Sequence, residues 1–196
     1  MTDIQKARIL MIATDGFEQS ELLLPLQKLR QKGATVEIAG PDKTREPGQI
    51  TGWRGEATKA EWGVSLPVDR KLDDIDPKSY DALVLPGGVM NPDRLRLEPK
   101  AIEAIRSFAK DGKIVAAICH GPWLLADAGV AKGRRMTSFW SIRKDIENAG
   151  AQWSDQEVIA DDGIITSRSP KDIPAFIDKI VEEIGEGSHG VRRIAA

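Results

Sequence analysis

The stretch KIVAAICHGPWLLADAG, residues 113–129, decides the fold. Its first half, KIVAA, is apolar without alternation, which predicts a strand buried on both faces, as in a parallel sheet. Its second half predicts a helix from Pro122, a residue suited to a first helical position. Cys119 stands at the bend between them, with Ala117 two residues before and Gly121 two after. That is the layout of a nucleophile elbow, whose tight turn brings the flanking positions together and so demands small residues. A thiol at such an apex faces the positive end of the helix and free backbone N–H groups. Both favour the thiolate, the reactive form. A lone cysteine ending a strand is also an ordinary small core residue. The strand, the small flanking residues and the helix start together favour the functional reading.

Outward from this stretch the same pattern repeats. Residues 7–13 (ARILMIA), 34–40 (ATVEIAG) and 80–88 (YDALVLPGG) predict further buried strands. Residues 18–33 and 98–112 predict helices between them, the first stopped by Gly33. After the elbow come a short strand at 135–138, a helix at 141–150, two strands within 151–167 and a last helix at 170–185. Asp162-Gly163 is a hairpin signal between the two strands. The fold class expected is α/β: a single doubly wound, mostly parallel sheet with helices on both faces and right-handed crossovers. Residues 40–66, rich in Gly, Pro and charge and holding Trp53 and Trp62, predict strands or a loop at the sheet edge rather than a separate domain. The expectation is one domain over 1–196, with a core at about 7–185 and an aperiodic tail at 186–196.

Composition narrows the function classes. The chain has 196 residues, a net charge of -2 and an ordinary 30% of charged residues, so nothing attracts nucleic acid or an anionic membrane. The basic pairs Arg134-Arg135 and Arg192-Arg193 predict solvated surface. No apolar run approaches the roughly 20 residues that span a bilayer. One cysteine excludes an intramolecular disulfide, and MTDIQKARIL lacks a cleavage-like leader, which predicts a cytoplasmic location. One Cys and two His make no zinc set. The only Gly-rich turn, LPGG, is neither a dinucleotide nor a phosphate-loop pattern, so no organic cofactor is expected.

Three neighbours join Cys119 as candidates. LPGG ends a parallel strand, on the edge where open α/β sheets bind ligands. Gly87 and Gly88 there can present an N–H to an oxyanion, with the His120 N–H as the partner donor. Glu18, where the first strand gives way to a helix, could hydrogen-bond the thiolate if burial kept its carboxyl protonated. It could equally be a first-turn acid complementing the helix dipole. His120 could serve as base and acid, whereas His189 lies in the tail.

LPGG, AICHGPWLLADAG, TSFWSIRKDIENAGAQWSD and SRSPKDIPAF together resemble the PfpI family of intracellular cysteine peptidases, general stress proteins and deglycases. That family lies within the superfamily of the human parkinsonism-associated deglycase. The resemblance runs from about residue 7 to 185. It implies a flavodoxin-like fold, shared with class I glutamine amidotransferases. The latter need a downstream His that is missing between Gly121 and Ser188. It implies Cys119 as nucleophile, Glu18 as the acid that tunes it and His120 as the triad histidine. Gly88 and His120 become the oxyanion donors. It also implies a homo-oligomer, a dimer at least, in which Asp93 of a neighbouring subunit serves as third acid. Here that segment is one residue longer than the peptidase pattern and carries Asp in place of Glu. The function expected is a stress-response cysteine hydrolase acting on reactive carbonyls, either small aldehydes such as methylglyoxal or their adducts on protein or nucleotide. A non-catalytic redox or chaperone-like stress protein is the alternative, and a peptidase ranks third, since Trp123 narrows the pocket.

Overall fold

The structure is a computed structural model and describes residues 3–55, 60–187 and 189–190. Arg192-Arg193 therefore lies outside the described residues. In chain order the elements are β1 (Arg8–Ile12), β2 (Phe17–Glu18), α1 (Gln19–Gln31), β3 (Thr35–Gly40), β4 (Gln49–Arg54), β5 (Glu61–Pro67) and β6 (Arg70–Lys71). Next come β7 (Ala82–Leu85), α2 (Met90–Leu95), α3 (Pro99–Lys110), β8 (Ile114–Ile118) and α4 (Pro122–Asp127). The chain closes with β9 (Arg135–Met136), α5 (Arg143–Asn148), β10 (Gln152–Trp153), β11 (Val158–Asp161), β12 (Ile164–Ser167) and α6 (Ile173–Glu186).

The main sheet runs β11-β12-β8-β7-β1-β3-β6 and is parallel except for β11. Its strands lack alternation because both faces are covered. Leu10, Ile12, Leu83, Leu85, Val115 and Ala117 face α3, α4 and α5, where Ile105, Phe108, Leu125 and Ile146 close over them. The intervening Ile9, Met11, Val84, Ala116 and Ile118 face α1 and α6, against Leu22, Leu29, Phe176 and Ile180. The hairpin expected at Asp162-Gly163 is present. Both residues take positive φ, 52° and 73°, as a tight two-residue turn requires.

Two expectations are corrected. Residues 40–66 do not extend the edge of the main sheet, which is held by β6. Their β4 and β5 pair antiparallel and join β2 in a separate three-stranded sheet. The pairing sits beyond the carboxyl end of β1, because Asp15 there accepts the Thr51 and Arg45 N–H groups at 2.7 and 2.6 Å. Trp53 and Trp62 meet edge to face across it, 5.2 Å apart. Residues 151–167 hold three strands rather than two, since β10 pairs with β9 in a small sheet of its own.

The described part of the tail is anchored. Glu186 still belongs to α6, and the His189 N–H donates to the Gly112 carbonyl at 2.8 Å. The His189 ring lies against Glu183 (2.8 Å) and Asp162 (3.4 Å). Arg135 lies at the surface beside Asp161, as expected, whereas the Arg134 side chain is mostly buried, its guanidinium donating to the Asp161 carbonyl at 3.2 Å and facing Asp162. No helix among the described residues is long and apolar enough to cross a membrane.

Candidate active site

The bend after β8 is strained in the way an elbow requires. Cys119 has φ 62°, a left-handed conformation that a non-glycine residue keeps only when its surroundings impose it. Its N–H donates to the Ser167 carbonyl at 3.0 Å, and its carbonyl accepts the Phe139 N–H at 2.8 Å. Gly121 closes the turn. A Cβ there would stand 2.6 Å from the Leu85 carbonyl oxygen. The helix begins at Pro122, where the sequence places it.

The thiol is 6% exposed and meets four groups. The backbone N–H groups of Gly88 and His120 point at it. The His120 Nδ1 lies 3.2 Å from Sγ. The fourth group is the carboxyl of Glu21, which hydrogen-bonds the thiol and is itself wholly buried.

Glu21 replaces Glu18 in the arrangement. Glu18 is the N-cap of α1, and its carboxylate turns back to accept the Glu21 N–H (2.8 Å) and the Ser20 hydroxyl (2.6 Å). An acid that caps the helix in this way is directed at the helix's own amides, not across the sheet end. Three residues on, Glu21 falls on the buried stripe with Leu22, Pro25, Leu26 and Leu29. It points under the LPGG loop, where the Gly87 N–H donates to Oε2 at 2.9 Å. Oε1 has no nitrogen or oxygen partner among the described residues. Gly87 is thereby corrected too: its amide is committed to Glu21, and Gly88 supplies the amide that faces sulfur.

Electrostatics follow from burial. Desolvation, helped by the negative charge of Glu18, pushes the Glu21 carboxyl up to about 8, so it holds its proton at neutral pH. Burial also pushes the Cys119 thiol up, and a charged Glu21 would add to that, while the Gly88 and His120 amides act in the opposite direction. Thiol and carboxyl compete for protons in one pocket. A proton on Glu21 can serve as donor to a thiolate. Burial lowers His120 to about 4, which leaves the imidazole neutral.

Aromatic rings wall the histidine. Phe139 stacks on it at 4.9 Å, and Trp123 meets it edge-on at 5.3 Å. Trp123 is fixed by its indole N–H to Asp145 (2.8 Å) and by Arg96 over its face. Asp93 is exposed in the first turn of α2 and contacts neither Cys119 nor His120 within this chain. His189 lies at the amino end of β8, away from the elbow. Three residues that sequence reasoning missed complete the site. These are Glu21, Ser141 (Oγ 3.2 Å from His120 Nε2) and the buried Asn91. Asn91 donates to the Pro86 and Gly87 carbonyls and accepts the Thr14 N–H, tying the LPGG loop to the end of β1. No cluster suited to a metal ion occurs among the described residues.

A doubly wound sheet with a strained cysteine at the carboxyl end of an inner strand, faced by amides, an imidazole and a buried carboxyl, defines a class of cysteine-elbow α/β proteins. Comparison with known proteins narrows the class: the chain belongs to the DJ-1/PfpI family, whose model matches residues 7–183. It is 42% identical to Deglycase PfpI of Pyrococcus furiosus over 175 residues, 89% of this chain and 98% of that one. It is 37% identical to the putative cysteine protease YraA of Bacillus subtilis, covering 86% of this chain and 93% of that one. The crystal structure of Drosophila melanogaster DJ-1beta superposes with a TM-score of 0.78 at 27% identity, covering 95% of each chain.

Proposed function

We propose that the protein is a cysteine-dependent hydrolase of reactive carbonyls, a deglycase- or glyoxalase-like stress enzyme of the cytoplasm. The observation that carries this reading is the geometry around one sulfur: Sγ with two backbone N–H groups, His120 Nδ1 at 3.2 Å and a protonated carboxyl against it. The names of the relatives, deglycase and cysteine protease, support the hydrolase class.

The chemistry follows from those groups. Sγ attacks an aldehyde carbon, and the carbonyl π pair moves to oxygen. The Gly88 and His120 amides stabilise the developing oxyanion. The thiol proton passes to His120, and the oxygen takes a proton from His120 or from Glu21, which His120 then reprotonates. In the resulting hemithioacetal of a dicarbonyl the aldehyde hydrogen leaves C1 as a proton and returns at C2 by way of an enediol, which turns the adduct into a thioester. Water attacks the thioester carbon, the C–S bond breaks, and the sulfur leaves with a proton as the free thiol. Conversion of methylglyoxal to lactate by this route is an internal rearrangement plus water and needs no external oxidant.

One feature disfavours a peptidase: Trp123 and Phe139 crowd His120. The carboxyl beside sulfur would also hold an oxidised cysteine, which is the basis of the redox alternative. The two readings separate on one assay. Purified protein is expected to turn methylglyoxal into lactate and to stop once iodoacetamide has alkylated its single cysteine. Stoichiometric alkylation or oxidation with no turnover beforehand would shift the assignment to a redox protein.

Assembly is part of the proposal. Val89, Leu97 and Trp140 are 56%, 79% and 74% exposed. They adjoin Gly88, α2 and Phe139, so large apolar groups stand in solvent near the site. A second copy of the chain covering them would bring its own Asp93 near this mouth. Size exclusion is expected to give at least a dimer, and a monomer of 21.5 kDa would remove that part.

A further inference from the structure

The His120 ring is held at both nitrogens. Nδ1 faces Cys119 Sγ at 3.2 Å, and Nε2 faces Ser141 Oγ, also at 3.2 Å. No carboxylate among the described residues pairs with the ring. The segment that carries Ser141 is stitched to the elbow three times over. The Phe139 N–H donates to the Cys119 carbonyl at 2.8 Å, the Phe139 ring stacks on the imidazole, and the Ser141 hydroxyl meets Nε2. A single turn, Trp140–Ile142, spaces the last two contacts, and the Ile142 N–H closes it on the Phe139 carbonyl.

We propose that Ser141 is the positioning residue for His120, its Oγ holding Nε2 so that Nδ1 stays on the cysteine sulfur. The inference rests on the reading of Cys119 and His120 as a reacting pair. Ser141 stands where a carboxylate would complete a Cys-His-acid triad, and a hydroxyl does a different job there. It can accept or donate. When Nε2–H donates to Ser141, Nδ1 offers its lone pair to the thiol. The S–H bond then breaks, an N–H bond forms, and the imidazolium stays bound at both nitrogens. When Ser141 donates to Nε2, Nδ1–H donates to the thiolate. The ring passes a proton either way without turning over. A carboxylate would hold only the first tautomer and would favour the charged ring. A neutral hydroxyl adds no charge to offset burial, which agrees with a ring lowered to about 4. Within this chain the other charged groups nearby are already engaged, and Asp93 of the partner subunit is the one charge that assembly would add. Glu21 lies behind the sulfur, Asp145 of α5 holds the Trp123 indole, and Arg96 pairs with Asp127 of α4.

The test does not depend on knowing the substrate. The chain has two histidines, so 15N-histidine NMR with a His189→Gln variant for assignment isolates the His120 nitrogens. Iodoacetamide alkylation of Cys119 across pH reports the thiolate. Ser141→Ala is expected to move the His120 nitrogens toward free-imidazole values and to slow alkylation at pH 7 roughly tenfold. Ser141→Thr restores both. Ser141→Asp raises the His120 midpoint by about a unit or more. Nitrogen shifts and an alkylation rate unchanged in Ser141→Ala would overturn the inference, as would an unmoved midpoint in Ser141→Asp. His120→Ala separates the two levels. If it alkylates like the parent, the reacting-pair reading itself fails. If it slows while Ser141→Ala does not, only the role of Ser141 is lost.

Discussion

Gly87→Ala is expected to abolish turnover, by a hundredfold or more, in a protein that still folds. The objection to the added methyl is space, because Gly87 is not among the positions with positive φ. A Cβ there would stand 2.5 Å from Glu21 Oε2, 2.6 Å from Cys119 Cβ and 2.8 Å from the Ile118 carbonyl oxygen. None of the three can yield cheaply. Ile118 is the last residue of a central strand, Cys119 is pinned at its N–H and carbonyl, and Glu21 is wholly buried. The methyl must therefore drive the carboxyl and the sulfur apart or lift the LPGG loop, and a misplacement of about 1 Å costs on the order of a hundredfold. Overpacking of this kind costs about 1–3 kcal/mol, a fall in Tm of roughly 2–12 °C at this chain length. Gly48→Ala is the control. Its objection is the reverse one, a backbone φ of 73° with nothing within 4 Å of the new Cβ. It is expected to lose stability and keep its activity. Turnover by Gly87→Ala within a few-fold of the parent would show that the carboxyl–thiol contact does not matter to the reaction.

The elbow was legible in the sequence because its constraints are local. A buried strand, small residues two either side of Cys119 and Pro122 are all read within ten residues, and the Cβ clash at Gly121 is their physical cause. The parallel sheet was legible for a related reason, since strands covered on both faces lose their alternation. Three things were missed. The small β2-β4-β5 sheet depends on Asp15 accepting two distant amides, a long-range contact that no periodicity records. Glu18 stands at the strand-to-helix junction, and the family resemblance put the tuning acid there; Glu21 lies one turn further on and was not among the candidates. The signal that favoured Glu21 was present but belongs to the helix: residues 21, 22, 25, 26 and 29 form one stripe, and a lone acid among apolar residues on a buried face is the anomaly worth following. Ser141 left no local signal, since its partner lies 21 residues away.

Glu21→Gln is expected to inactivate the enzyme while making the fold more stable above neutrality. The carboxyl titrates near 8 in the folded chain and near 4.5 when exposed. Between those values the unfolded chain has lost this proton and the folded chain keeps it. Unfolding then releases a proton, and stability falls as pH rises. His120 works in the opposite sense. Its folded value of about 4 lies below the ordinary 6.5 of an exposed imidazole, so its contribution to stability grows with pH and is complete above about 6.5. From pH 6.5 to 8 the Glu21 slope is left unopposed by His120, at about 1.4 kcal/mol per unit, or about 2 kcal/mol over the window. The parent Tm should drop by roughly 4–8 °C across it. Gln keeps the acceptor for the Gly87 N–H but has no proton to titrate, so its Tm should stay flat there and exceed the parent at pH 8. Turnover should fall by roughly a hundredfold or more, because an amide cannot release the proton that a carboxyl supplies. Glu18→Gln should behave differently. It weakens a helix cap by about 0.5–2 kcal/mol, keeps the downward slope but draws in the upper end of the window by removing a charge that helps to raise Glu21, and keeps activity within a few-fold. A Tm that is equally flat in the parent and in Glu21→Gln would mean that Glu21 is ionised throughout. The sulfur would then face a charge, not a donor, and proton supply would fall to His120 alone.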